Sequence, residues 1–243
     1  MLNVIYSEFL KLKKSYIILL VLIGGSVNPG FMDLAIMVSG EKNRTFEKYV
    51  YNIELINFSL IYGILFALIA GYIFCREYSD KTASTLYAYP ISRVKIFIGK
   101  LIIIYALITI VYFIQMVTMY LGYYMLYGSI EYKLIINDIK VNICSLLFQF
   151  LLIPIPIFIA NISKNIVLTV SYGILSFIIT ASLTRMKSFY IKYIPLLTPY
   201  FCAKNFYYPG KVDMMAAITS GIICFVISIA LCIYQYNKTD MTY

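Results

Sequence analysis

Long apolar runs alternate with short polar stretches along the whole chain, and each run is continuous instead of switching residue by residue. Lipid offers no partner to an unpaired backbone group, so an uninterrupted apolar run of about 20 residues, enough for roughly 30 Å of hydrocarbon, predicts a membrane-crossing helix. Six runs qualify, at about 15–38, 53–75, 96–127, 139–160, 166–183 and 214–236. Asn28-Pro29-Gly30 interrupts the first. The part before the break reaches only about 20 Å at 1.5 Å per residue, so the run must continue past Pro29, which predicts a kinked helix. The third run is long enough to project beyond the bilayer, and Pro154 and Pro156 stand near one end of the fourth.

The stretches between the runs carry their own signals. Leu2, Ile5, Phe9 and Leu12 recur at helical spacing, with Ser7, Glu8 and Lys11 on other faces; this predicts an interfacial helix over 1–14 that feeds the first span. Residues 185–211 are rich in aromatics and prolines, and 191–203 is too short and too broken by Pro195 and Pro199 to span. That segment either dips partway into the membrane as a re-entrant element or lies over the bundle as a lid. The stretch 76–100, REYSDKTASTLYAYPISRVKIFIGK, is a polar island between two spans. Within it a helix over 82–89 would place Ala83, Leu86 and Tyr87 on one side as an apolar ridge able to fill a partner's groove. Pro90 stops that helix by pushing Tyr89 away from helical angles. No internal repeat or linker divides the chain, so residues 1–243 are expected to form one transmembrane domain.

Composition sharpens this all-α membrane reading. Of 243 residues, 62% are hydrophobic and 13% charged, more apolar surface than a water-soluble domain of this size can hide. No histidine occurs, which excludes Ser-His-Asp and Cys-His catalysis, HExxH zinc sites and histidine proton relays. Five cysteines, Cys75, Cys144, Cys202, Cys224 and Cys232, show neither zinc spacing nor evident disulfide partners and read as small core residues. The net charge of +9 is scattered along the span edges, where it suits lipid phosphates and not a polynucleotide. Lys and Arg divide ten against ten between the two faces, so charge alone leaves the topology tied. The clustered LKLKK flank of the first span puts both termini in the cytoplasm, and an Ile-, Tyr-, Lys- and Asn-rich usage fits a bacterial cell membrane.

Polar groups inside spans are functional candidates because burying them costs free energy. Asn28, Asp33, Gln115, Thr118 and Gln149 are the candidates for a substrate path, each weighed against a plain interhelical hydrogen bond. Glu54 reads as an interfacial anchor beside Lys48 and Asn57. The runs show no paired carboxylates and no buried Lys or Arg, and the chain lacks a GxxxxGK[ST] loop, so an energy source is missing from it.

Glu77, Thr82, Leu86, Tyr89, Pro90, Ile91, Ser92, Arg93 and Lys100 together form a pattern that resembles the cytoplasmic loop between the second and third spans of ABC-2 type transporter permeases. The layout of an N-terminal interfacial helix, six spans and an aromatic loop before the sixth is similar as well. Size and composition look closest to bacterial permeases of lantibiotic immunity and bacitracin resistance. The resemblance implies that the loop is a coupling helix docking on a separate cytoplasmic ABC ATPase, with Glu77 and Arg93 at its ends, placed to pair with each other or with that partner. It implies ATP and Mg²⁺ on the partner with no cofactor or metal in this chain, and no catalytic residue. It also implies a second permease, identical or related, and an amphipathic peptide antibiotic, drug or lipid as cargo. Lys81 departs from the pattern, standing where many members carry Gly before the Thr. The rival reading is an ion-coupled secondary transporter or facilitator, for which Asp33 and Glu54 are the candidate ion site.

Overall fold

The computed structural model describes residues 2–13, 15–41, 43–83, 91–186, 189–210 and 212–238. It is all helical, and six helices are long and apolar enough to cross a membrane. Helix α1 is Leu2–Lys13 and α2 is Ile17–Ser39. Helix α3 spans Phe46–Ser79, α4 Arg93–Tyr127 and α5 Tyr132–Ser163. Helix α6 is Ile166–Leu183, α7 Thr198–Tyr207 and α8 Met214–Lys238. The predicted coupling helix falls largely on residues 84–90, which lie outside the described residues.

Six crossings (α2, α3, α4, α5, α6 and α8) return the chain to the face where it began, here called the terminal face, with the far face opposite. Helix α3 has 34 residues, about 50 Å at 1.5 Å per residue; it therefore reaches well beyond the hydrocarbon, and its far end starts seven positions earlier than hydropathy alone implied. Hydropathy missed residues 46–52 because Glu47, Lys48 and Asn52 dilute them. Helix α2 passes through Pro29 without ending, and Gly40 closes it in the left-handed conformation with its N–H on the Ile36 carbonyl.

Helices α3 and α4 form the centre, while α2, α6 and α8 expose most of their apolar length. Helix α2 packs chiefly on α4, α6 on α3, and α5 on α7 and α8. The largest core cluster joins Phe58, Tyr62, Phe66, Phe74, Phe97, Ile104, Ile108 and Tyr112 between α3 and α4. A separate cluster of Ile36, Phe46, Tyr49, Val50, Ile53, Met119 and Tyr123 closes the far end. Close approach of α6 to α3 depends on Gly173, whose missing side chain would stand 2.9 Å from the Ile64 Cα.

Three sequence expectations change in detail. Helix α1 packs on α4, but it buries Glu8 and Leu12 while Tyr6, Phe9 and Leu10 stay exposed; its inward face is set by an ion pair as much as by its apolar stripe. The segment before the last span folds as two short 3₁₀ turns and α7, with Leu197, Thr198, Tyr200, Phe201, Cys202 and Ala203 buried. Helix α7 packs on α5, α3 and α8, wedged into the bundle. A disulfide joins Cys144 of α5 to Cys202 of α7, correcting the reading of all five cysteines as unpaired. The two lie 58 residues apart in the chain, and spacing alone cannot show such a contact.

Candidate functional site

At the terminal face, α3 ends in a turn at the start of the polar island. The Thr82 N–H reaches the Glu77 carbonyl at 2.9 Å and the Lys81 N–H reaches that of Tyr78 at 3.2 Å, the paired bonds of a Schellman motif. Lys81 takes the left-handed position, at φ 54°. The turn is thus of the type a glycine would make there, carried by a lysine at a cost of about 1 kcal/mol.

Beneath the turn lies a buried ion cluster. Lys100 of α4 is 1% exposed; it donates to the Glu77 carboxylate and, at 3.2 Å, to the Ile73 carbonyl. The other Glu77 oxygen accepts from Lys11 at 3.1 Å, and Lys11 also meets Glu8 at 2.5 Å. Arg76 donates to the Lys11 carbonyl at 2.9 Å. Burial lowers the Lys11 pKa, but hydrogen bonding and charge attraction from Glu8 and Glu77 outweigh it and hold the pKa above its ordinary value. These contacts lock α1, α3 and α4 together where the island leaves the bundle. Lys100 corrects the expectation that no buried Lys exists. Glu77, 5% exposed, spends its carboxylate inside the protein and braces the loop from below.

Of the other residues assigned to docking, Thr82 is exposed and Ala83 buried, while Arg93 begins α4. Leu86, Tyr87, Tyr89 and Pro90 lie outside the described residues.

Further along the bundle runs a chain of buried amides. Asn28 of α2 donates to Asn57 of α3 at 2.9 Å and to the Ile53 carbonyl at 3.1 Å. Asn57 donates to the Gln115 oxygen of α4 at 2.8 Å, and Gln115 donates to Asn142 of α5 at 3.4 Å. Tyr62 also donates to Gln115. Asn142 turns its amide N–H groups to Glu54 at 2.8 Å and Asp138 at 3.2 Å, and Tyr120 donates to Asp138 as well. The chain crosses α3 at Asn57, where that helix widens into a π turn over Asn57–Ile61, a local irregularity that often marks a working part of a helix.

The five candidates for a substrate path separate. Asn28 and Gln115 belong to the amide chain. Asp33 accepts from Tyr49 at 2.5 Å and lies against the bare backbone of Gly122. Thr118 bonds the Ile114 and Gln115 carbonyls of its own helix. Gln149 lines a small groove with Phe58, Ser59, Phe66, Tyr172, Ser176 and Thr180. The expectation of no paired carboxylates is corrected: Glu54 and Asp138 are 0% and 1% exposed and share Asn142. Glu54 is therefore a core residue instead of an interfacial anchor. Neither Asp138 nor Asn142 stood out in the sequence, since the first sits at the edge of an apolar run and the second resembles any lone amide.

Six helices able to cross a membrane, a braced turn at the end of the second and a polar spine through the first four describe a multi-pass membrane protein. The sequence model of the ABC-2 family transporter protein matches residues 4–182. The chain belongs to that family. Comparison with curated proteins gives no match.

Proposed function

We propose that this chain is the membrane subunit of a bacterial exporter, working as a pair of permeases driven by two copies of a separate cytoplasmic ATPase that binds ATP and Mg²⁺. The carrying observation is the braced turn: Glu77, Lys100, Lys11 and Glu8 tie the base of the 82–93 loop to three helices at once. A force applied to the loop is then delivered to α3 and α4 and is not lost in a slack linker. Thr82, Ala83, Leu86, Tyr87, Tyr89, Pro90 and Arg93 form the docking element in this reading, Glu77 supports it from inside, and both termini are cytoplasmic. The cargo is amphipathic, an antimicrobial peptide, drug or lipid. The groove beside Gln149 supports this, because its lining combines Ser59, Gln149, Ser176 and Thr180 with the apolar surfaces of Phe58, Phe66, Leu152 and Tyr172.

The test is co-purification. Leu86→Asp or Tyr89→Asp should release the ATPase from the purified complex while the permease stays folded. Retention of the ATPase with normal ATP turnover would sink the assignment. The buried Glu54–Asp138 pair is the observation that keeps ion-coupled secondary transport as a second reading. Cargo movement that persists without the ATPase and stops in Glu54→Gln would establish it.

A further inference from the structure

We propose that Glu54 and Asp138 form a proton-binding site inside the far half of the bundle, with the proton on Glu54 and the carboxylate on Asp138. The two carboxyl groups meet at one amide nitrogen, Asn142 Nδ2, which donates to Glu54 at 2.8 Å and to Asp138 at 3.2 Å, and both are sealed from solvent. Glu54 Oε2 and Asp138 Oδ1 meet no donor among the described residues. Two acceptor oxygens placed together in a low-dielectric interior repel, unless a proton or a cation stands between them.

The surroundings select the proton. Asp138 Oδ2 accepts from the Tyr120 hydroxyl and from Asn142, whereas the Glu54 carboxyl receives only Asn142. The better-solvated carboxylate keeps its charge, and the poorer one holds the hydrogen and donates it. A metal cation would need further oxygen ligands, but Asn142 turns its N–H side to the pair and its oxygen to Gln115. No group of three or more acidic, Cys or His side chains suited to a metal occurs among the described residues. The titratable groups facing the pair are Tyr62 on α3, Tyr112 and Tyr120 on α4 and Tyr207 on α7, with Glu47 beyond Tyr207. Among the described residues, no Lys or Arg pairs with either carboxyl.

The proton joins α3 to α5 directly above the π turn. With it in place the joint is closed, and without it two like charges press the far ends of these helices apart. The site thus takes up a proton as the far side closes and gives it up as the far side opens to water. It does not depend on where the ATPase docks.

Infrared spectroscopy of the full chain in lipid vesicles tests this. At neutral pH the wild type should show a protonated carboxyl C=O absorption that shifts in D₂O and disappears at alkaline pH. Glu54→Gln should remove the absorption, Asp138→Asn should move its frequency, and Asp33→Asn should leave it unchanged. Its absence from the wild type at neutral pH, or its survival in Glu54→Gln, overturns the proposal. Loss of the wild-type absorption on adding Na⁺ at fixed pH overturns it in favour of a metal cation. The wild-type pH and Na⁺ measurements need no variant and decide even if Glu54→Gln does not fold.

Discussion

Replacing Glu77 with Gln tests whether the ion cluster under the loop is a strut. The substitution keeps size and an acceptor oxygen but leaves the Lys100 ammonium, 2% exposed at its side chain, without a counter-charge, facing only neutral oxygens such as the Ile73 carbonyl. Stranding one member of a buried pair costs about 3–5 kcal/mol. With soluble-domain scaling of roughly 2–4 °C per kcal/mol for a chain of this length, the melting midpoint should fall by about 6–20 °C. Lys100→Met should cost less, about 1–2 kcal/mol, because removing the deeper charge leaves Glu77 a second partner, Lys11 at 3.1 Å. The double variant strands no buried ammonium and should lie closer to the wild type than Glu77→Gln alone. Thermal stability by fluorescence-detected gel filtration of tagged protein, in one detergent, reads all four states of this cycle. Losses that simply add, within about 0.5 kcal/mol, would show that the two side chains act independently and would refute the strut.

Four other outcomes follow from the same geometry. Lys81→Gly should raise stability by about 1 kcal/mol, because glycine accepts the left-handed angle without strain; a lower melting midpoint would show that the lysine side chain repays its backbone cost. Gly173→Ala should destabilise by about 1–3 kcal/mol by pushing α6 off the α3 backbone, whereas Gly30→Ala, with open space around it, should gain about 0.5–1 kcal/mol in helix propensity on the same assay. Mass spectrometry after denaturation should find three alkylated cysteines before reduction and five after it, with Cys144 and Cys202 the two gained. Glu8 and Glu77 raise the Lys11 pKa above its ordinary 10.5, so their attraction stabilises the fold fully below that pH and is lost as pH climbs through the folded value. The stability gap between wild type and Lys11→Met should therefore hold steady from neutral to about pH 10 and narrow above pH 10.5.

The six spans and the helical class were legible because each depends on one contiguous stretch meeting one solvent, and hydropathy records that directly. Even Pro29 was read correctly as lying inside a continuing span, since the run before it is too short to cross alone. The end of the second span at the polar island was legible for a similar reason, since the charges of residues 76–81 are local. What the sequence concealed is pairwise and distant. Lys100 looks like any cation at a span edge, and only its meeting with Glu77, 23 residues away, turns a lipid anchor into a buried strut. Asn142 meets Glu54 across 88 positions, so each member reads alone as a weak feature and the acidic pair goes unseen. Helix α3 ties these hidden features together, because it carries Glu77 near its terminal end, the π turn in the middle and Glu54 toward the far end. At 1.5 Å per residue the two carboxyls stand about 35 Å apart on one continuous helix. Tilting α3 at the braced loop must therefore strain the Glu54–Asp138 joint, unless the π turn absorbs the motion. Restoring regular α-helical register by deleting one residue within Asn57–Ile61 separates these cases: if the turn is the yielding element, the deletion should tighten the link between loop and joint, and if it is inert, the deletion should act only by rotating Glu54 out of register.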